Sequence, residues 1–217
     1  MKRAEFNNLR NEIMSTSVAK ATITATATTT APKIVAIAGS LRQASFNAVL
    51  AKIAGKSALL AGAEVEVLNL ADYDIPLFNE DLEKQPTPAG VQLLKDKIRQ
   101  ADGILAVSPE YNGSISGVFK NALDWMSRTE ADQKPAFRDT TVALLATSPG
   151  GLGGLRGLNH VRDIFVGMGS LVLSNQVAIP SAYQAFNEAG QLNDEGVAGR
   201  VDSLAKELVE TAIKLMA

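Results

Sequence analysis

KIVAIAGSLRQASFN, residues 33–47, is the stretch that decides the fold. Lys33–Ala38 is a short apolar run with β-branched residues, and it breaks off at Gly39-Ser40, as a parallel strand buried on both faces does. A polar loop follows. Val49, Leu50, Ile53 and Leu60 then share one helical face between Asn47 and Gly62.

The same strand–helix alternation runs to the end of the chain. Residues 64–68 (EVEVL) alternate as a strand, and Thr87-Pro88 reads as an N-cap with proline at the first helical position before Val91, Leu94, Ile98 and Ala101. Gly103–Val107 is a third strand, broken by Ser108-Pro109 because the residue before proline avoids the α region. A helix over 115–129, a strand over 140–147, a glycine-rich turn, a helix from about 155 to 166 and a strand over 170–177 follow. Val197, Val201, Leu204, Leu208, Ala212 and Leu215 draw the stripe of a closing helix. Five strands alternating with helices predict an α/β fold, an open, doubly wound parallel sheet covered on both faces. In such sheets ligands bind beyond the carboxyl ends of the strands, where the strand order reverses.

Composition narrows the chemistry. With 217 residues the chain suits one large domain, and 21 basic against 23 acidic residues leave a net charge of −2, without the basic field that nucleic acid requires. The absence of cysteine removes disulfides, zinc ribbons and thiol nucleophiles, and His160, the single histidine, leaves no room for a histidine-rich metal site. No run of 18 apolar residues exists to span a membrane, so the expected location is cytoplasmic. Residues 1–31 stand apart. Eleven of the thirteen residues from Ala19 to Ala31 are Ala or Thr, too small to offset chain ordering, so a disordered tail is expected there, with the domain over 32–217.

The distinctive residues cluster at three strand ends. Gly39 to Asn47 leads into a helix whose first N–H groups favour an anion; Ser40, Ser45 and Asn47 add short donors, and Arg42 adds a guanidinium fork suited to phosphate oxygens. Neither G-x-G-x-x-G nor a P-loop is present, so the pocket suits a monophosphate; the same residues also suit an ordinary turn that caps a helix. Pro109, Glu110, Tyr111 and Asn112 form a stiff loop with N–H groups for the edge of a flat heteroaromatic ring, or simply a turn with a surface tyrosine. Thr147 to Gly154 carries four glycines in five positions, a wall that lets backbone approach a ligand, or a flexible connection. A nucleotide with one phosphate and a planar ring satisfies all three loops, and FMN fits that description.

The motifs G-S-L-R-x-x-S-F-N at Gly39–Asn47, P-E-Y-N at Pro109–Asn112 with G-x-x-K-N-A-L-D-W at Gly117–Trp125, and T-S-x-G-G at Thr147–Gly151 resemble the NAD(P)H-dependent FMN reductase family, and within it the bacterial chromate and quinone reductases. The resemblance implies a flavodoxin-like five-stranded sheet of order 2-1-3-4-5, bound FMN, NADH or NADPH as cosubstrate, a small-molecule electron acceptor and assembly as a homodimer or homotetramer. It also implies that Ser40, Arg42, Ser45, Phe46 and Asn47 hold the phosphate and ribityl chain, that Pro109, Glu110, Tyr111 and Asn112 contact the isoalloxazine, and that Ser148 and Gly151 close the site. Pro149 departs from the pattern, because it has no N–H to give. The activity implied is electron transfer from NAD(P)H through FMN to quinones, chromate, azo compounds or free flavin, with no protein acid or base required. The rival readings are a flavodoxin-type electron carrier and a flavin-free nucleotide-binding module. Arg128, three residues beyond Trp125, is a candidate for attracting anionic acceptors at the rim of the flavin cleft, in this or a neighbouring subunit, and suits the negative end of a helix dipole slightly better. Arg156 and Arg162 are candidates for a network between subunits.

Overall fold

In the computed structural model, which describes residues 31–128 and 134–216, five parallel strands form one sheet: β1 (Lys33–Ala38), β2 (Glu64–Asn69), β3 (Gly103–Val107), β4 (Thr141–Thr147) and β5 (Leu171–Ile179). Their order is β2-β1-β3-β4-β5, as expected. Five helices cover it: α1 (Phe46–Leu60), α2 (Ala89–Arg99), α3 (Gly117–Met126), α4 (Leu155–Gly167) and α5 (Glu195–Met216). The expected tail falls, apart from Ala31, outside the described residues.

Alternation along the strands divides the core into two layers. Ile34, Ala36, Leu105, Val107, Ala143 and Leu145 face Leu50 and Ala54 of α1 and Leu204 and Leu208 of α5. Val35, Ile37, Ile104, Ala106, Val142 and Leu144 face Leu94, Ile98, Phe119, Leu123, Leu158 and Phe165 on α2, α3 and α4. Every residue of β3 and β4 is buried, which explains their unbroken apolar runs, whereas the edge strand β2 is largely exposed and keeps its alternation.

Several boundaries differ from expectation for local reasons. The helix expected to begin at residue 115 begins at Gly117, because Ser114–Ile115 pairs antiparallel with Glu110–Tyr111. Asn112 and Gly113 make the turn with φ of 52° and 76°, the left-handed pair that suits a two-residue hairpin. Ser116 then caps α3, accepting from the Phe119 amide at 3.2 Å. Thr87-Pro88 does not form the expected cap: Pro88 itself precedes the first helical residue and no side chain caps α2. β5 runs two residues further than expected, to Ile179, and its pairing with β4 is irregular between Val142 and Leu144. Arg162 closes that irregularity by donating to the Leu173 carbonyl (2.7 Å) and to Gln176 Oε1 (3.0 Å), so this guanidinium serves its own chain.

Candidate functional site

The carboxyl ends of β1, β3 and β4 meet in a cleft lined by Ser40, Arg42, Ser45, Phe46, Asn47, Pro109, Glu110, Tyr111, Thr147, Ser148, Pro149 and Tyr183. The strand order reverses between β1 and β3, so the cleft sits where doubly wound sheets bind ligands.

The first loop is built around Gly39. Its carbonyl accepts from Ser116 Oγ at 2.6 Å, and a Cβ there would stand 2.5 Å from the buried Phe119 side chain. Ser45 caps α1 by accepting from the Ala48 amide at 3.3 Å, and Ser40 Oγ accepts from the Arg42 amide at 3.3 Å. Each hydroxyl thereby keeps its own proton for another acceptor. Arg42 is exposed, with its guanidinium 5.9 Å from the Phe46 ring centroid. Asn47 lies in the cleft wall but acts as a tie: its Nδ2 donates to the Thr147 carbonyl at 2.9 Å and its Oδ1 accepts from the Thr147 amide at 3.0 Å. The first and third loops are thus locked together at the strand ends.

The second loop is the hairpin, and α4 holds it. Glu110, with a side chain only 9% exposed, accepts from Arg156 Nε (2.9 Å) and Nη2 (2.8 Å) and from the Gly157 amide (3.1 Å) in the first turn of α4. Ser114 Oγ meets His160 Nδ1 at 2.8 Å one turn on. Arg156 therefore has an intrachain partner. Glu110 lines the cleft, but its stem lies against Gly157 and its carboxylate is engaged by α4. Tyr111, 55% exposed, stands at the mouth.

The third loop uses two of its glycines for packing. Gly153 and Gly154 have φ of 62° and 91°; a Cβ on the first would meet the backbone of Ile179 at 2.5 Å, and one on the second the side chain of Ala146 at 2.7 Å. The Ser148 amide donates to the Ile179 carbonyl at 3.3 Å and Pro149 has no N–H, so neither backbone nitrogen is available to a ligand. Gly151 is exposed, does not line the cleft, and has open space around its Cα. Arg128 does not line the cleft of its own chain either. It lies beyond the far end of α3, about 16 Å along the axis from Gly117, 3.7 Å from Glu83 and 4.6 Å from the Phe78 ring centroid.

The description "NADPH-dependent FMN reductase" belongs to the family whose model matches residues 32–184. The chain belongs to this family. It is 37% identical over 168 residues to a quinone reductase of Escherichia coli, which covers 76% of this chain and 86% of the relative. It is 34% identical over 186 residues to an NAD(P)H-dependent FMN reductase of Pseudomonas aeruginosa, covering 85% of this chain and 92% of the relative. Among solved structures it resembles the flavoenzyme NAD(P)H:(acceptor) oxidoreductase FerB of Paracoccus denitrificans, with a TM-score of 0.74, 29% identity, and coverage of 84% of this chain and 98% of that one.

The cleft fits the family's FMN. Ser40, Arg42 and Ser45 line it together at the start of α1, where hydroxyl protons, a guanidinium fork and first-turn amides are the donor types that a phosphate takes. The enclosed space, about 220 Å³, is below the roughly 300–1,000 Å³ of a cavity that buries a whole ligand. A cleft of that size does not enclose a whole flavin. A groove of about 960 Å³ lies at the opposite end of the sheet, lined by Arg99, Asp102, Arg138, Ser170 and Leu215 among others. It is larger, but it lies at the amino ends of the strands and none of the family motifs reaches it.

One cleft residue was not marked by the sequence, and two motif residues serve the scaffold beside the cleft rather than its lining. Tyr183, after β5, lines the cleft although no motif contains it. Asn121 and Trp125 act through the segment before α2: Asn121 Oδ1 accepts from the Phe78 amide at 2.8 Å, while Asn121 Nδ2 and Trp125 Nε1 donate to the Pro76 carbonyl at 3.0 and 2.8 Å. Trp125 was marked by its motif, and the usual need of a buried indole N–H for an acceptor accounts for its bond to Pro76.

Burial alone would raise the Glu110 carboxyl, but the Gly157 amide and Arg156 outweigh it and hold its pKa below the ordinary range. A lowered folded-state pKa means stabilisation that is present above the unfolded pKa and lost as pH falls through the folded one. Glu110→Gln is therefore expected to melt below the parent at neutral pH, the gap closing as pH drops below about 4. Thermal melts across that range check it; a gap independent of pH would mean that the ionised carboxylate does not hold the hairpin.

Proposed function

We propose that the protein is an FMN-dependent reductase that oxidises NAD(P)H and reduces quinones, a hydride and a proton converting each quinone to hydroquinone and leaving NAD(P)⁺. The observation that carries this reading is that Ser40, Arg42 and Ser45 at the start of α1 share one cleft with a clamped, tyrosine-bearing hairpin across the β1/β3 switch point. Bound FMN supplies the electron chemistry. Arg42, Ser40 and Ser45 bind its phosphate, and the hairpin, fixed by Glu110 and Ser114 to α4, presents one edge and Tyr111 to the ring. Chromate, azo compounds and free flavin are narrower acceptors within the same proposal, supported by a cleft too small to enclose the whole flavin. Assembly as a homodimer or homotetramer and a cytoplasmic location belong to it as well, on the strength of the family resemblance; no described helix is long and apolar enough to cross a membrane.

The test is anaerobic mixing of the purified yellow protein with NADH or NADPH, followed by a quinone. Bleaching of the flavin band by the nucleotide and its return with the quinone are expected. A yellow protein inert to both nucleotides would favour the flavodoxin-type carrier, and a colourless one that takes up no FMN would overturn the cofactor assignment.

A further inference from the structure

We propose that Tyr183 is an additional ligand of the FMN phosphate, donating its phenol O–H from the loop after β5. The inference rests on the reading above that the cleft holds FMN.

Tyr183 is 71% exposed, yet its position is determined. Its ring meets Phe46 edge-on, with centroids 5.3 Å apart at 89°, and Phe46 in turn stacks on Phe186 at 5.5 Å. Phe46 is the first residue of α1, directly after the Ser45 cap, and the Arg42 guanidinium lies against the same ring. Arg42 and Tyr183 thus share one aromatic seat at the helix N-terminus.

The backbone that carries Tyr183 is anchored to the third loop. The Ser181 amide donates to the Gly150 carbonyl (3.3 Å) and the Ala182 amide to the Ser148 carbonyl (3.1 Å). Ser181 adopts φ 52° and ψ 48°, a left-handed conformation that a non-glycine residue holds only where its surroundings impose it. Among the described residues the Tyr183 hydroxyl has no hydrogen-bond partner. A phosphate presents several strong acceptor oxygens, and Asn47, the donor that the motif suggests, is engaged with Thr147 instead. An anchored aromatic with an unengaged O–H beside Arg42 suits that vacancy in the donor set.

Equilibrium dialysis of the full-length protein against FMN and against riboflavin, read by flavin fluorescence, tests the assignment, because riboflavin lacks the phosphate. Tyr183→Phe is expected to weaken FMN binding by about tenfold and to leave riboflavin binding unchanged. An unchanged FMN affinity would overturn the proposal. So would an equal loss for both flavins, which would make Tyr183 a contact of the ring or ribityl chain. Failure of the parent protein to bind FMN at all would instead remove the reading of the cleft on which the proposal rests.

Discussion

Arg42→Ala is expected to weaken FMN binding by about ten- to a hundredfold, the range for losing charge-assisted hydrogen bonds to a phosphate. Arg42 is exposed and makes no ion pair among the described residues, so the variant keeps its melting temperature in the absence of flavin. Its ring contact with Phe46 positions the guanidinium without engaging the fork. Arg42→Lys recovers part of the affinity through its charge but not the two-pronged geometry. Fluorescence titration of the three proteins with FMN and riboflavin separates these contributions. An Arg42→Ala protein that binds FMN as the parent does would place the phosphate elsewhere.

Gly153→Ala is expected to lower the melting temperature by on the order of 10 °C, the joint effect of a strained backbone and a clash of about 2–4 kcal/mol in a domain of this size. The added Cβ would stand 2.5 Å from the Ile179 carbonyl carbon and 2.7 Å from the Pro180 nitrogen. Both atoms are main chain at the end of a sheet strand, so neither can yield without disturbing β5. The residue would also have to hold φ at 62°. Gly151→Ala is the matched control, because nothing lies within 4 Å of its Cβ and its φ is not in the left-handed region. Melts of the two variants should differ sharply. Equal melting temperatures would show that the third loop, not the end of β5, gives way.

The strands were legible because their signal is local. A doubly buried strand must be apolar at nearly every position, and β1, β3 and β4 are. The hairpin was less legible, although its signal was present: Asn112-Gly113 is a strong two-residue turn, but the apolar spacing from Ile115 onward matches a helix equally well. Only pairing of Ser114–Ile115 with Glu110–Tyr111, and their attachment to α4, distinguishes the two.

What the sequence by itself determined is the order of elements and the three loops that carry the family motifs. Hydrophobic periodicity specifies strands and helices, and parallel strands joined by helices must place alternate loops at one edge of the sheet. What only the tertiary structure decided is the use of each polar group within those loops. Asn47 and Thr147 are 100 residues apart, Glu110 finds its partners on α4, Tyr183 enters the cleft by resting on Phe46, and Arg128 is carried away from it by the length of α3. A side chain capable of holding a ligand is equally capable of holding the fold, and residue type is the same in both cases. Which of the two it does depends on the groups that packing brings within hydrogen-bond distance, and those come from parts of the chain that no local pattern connects.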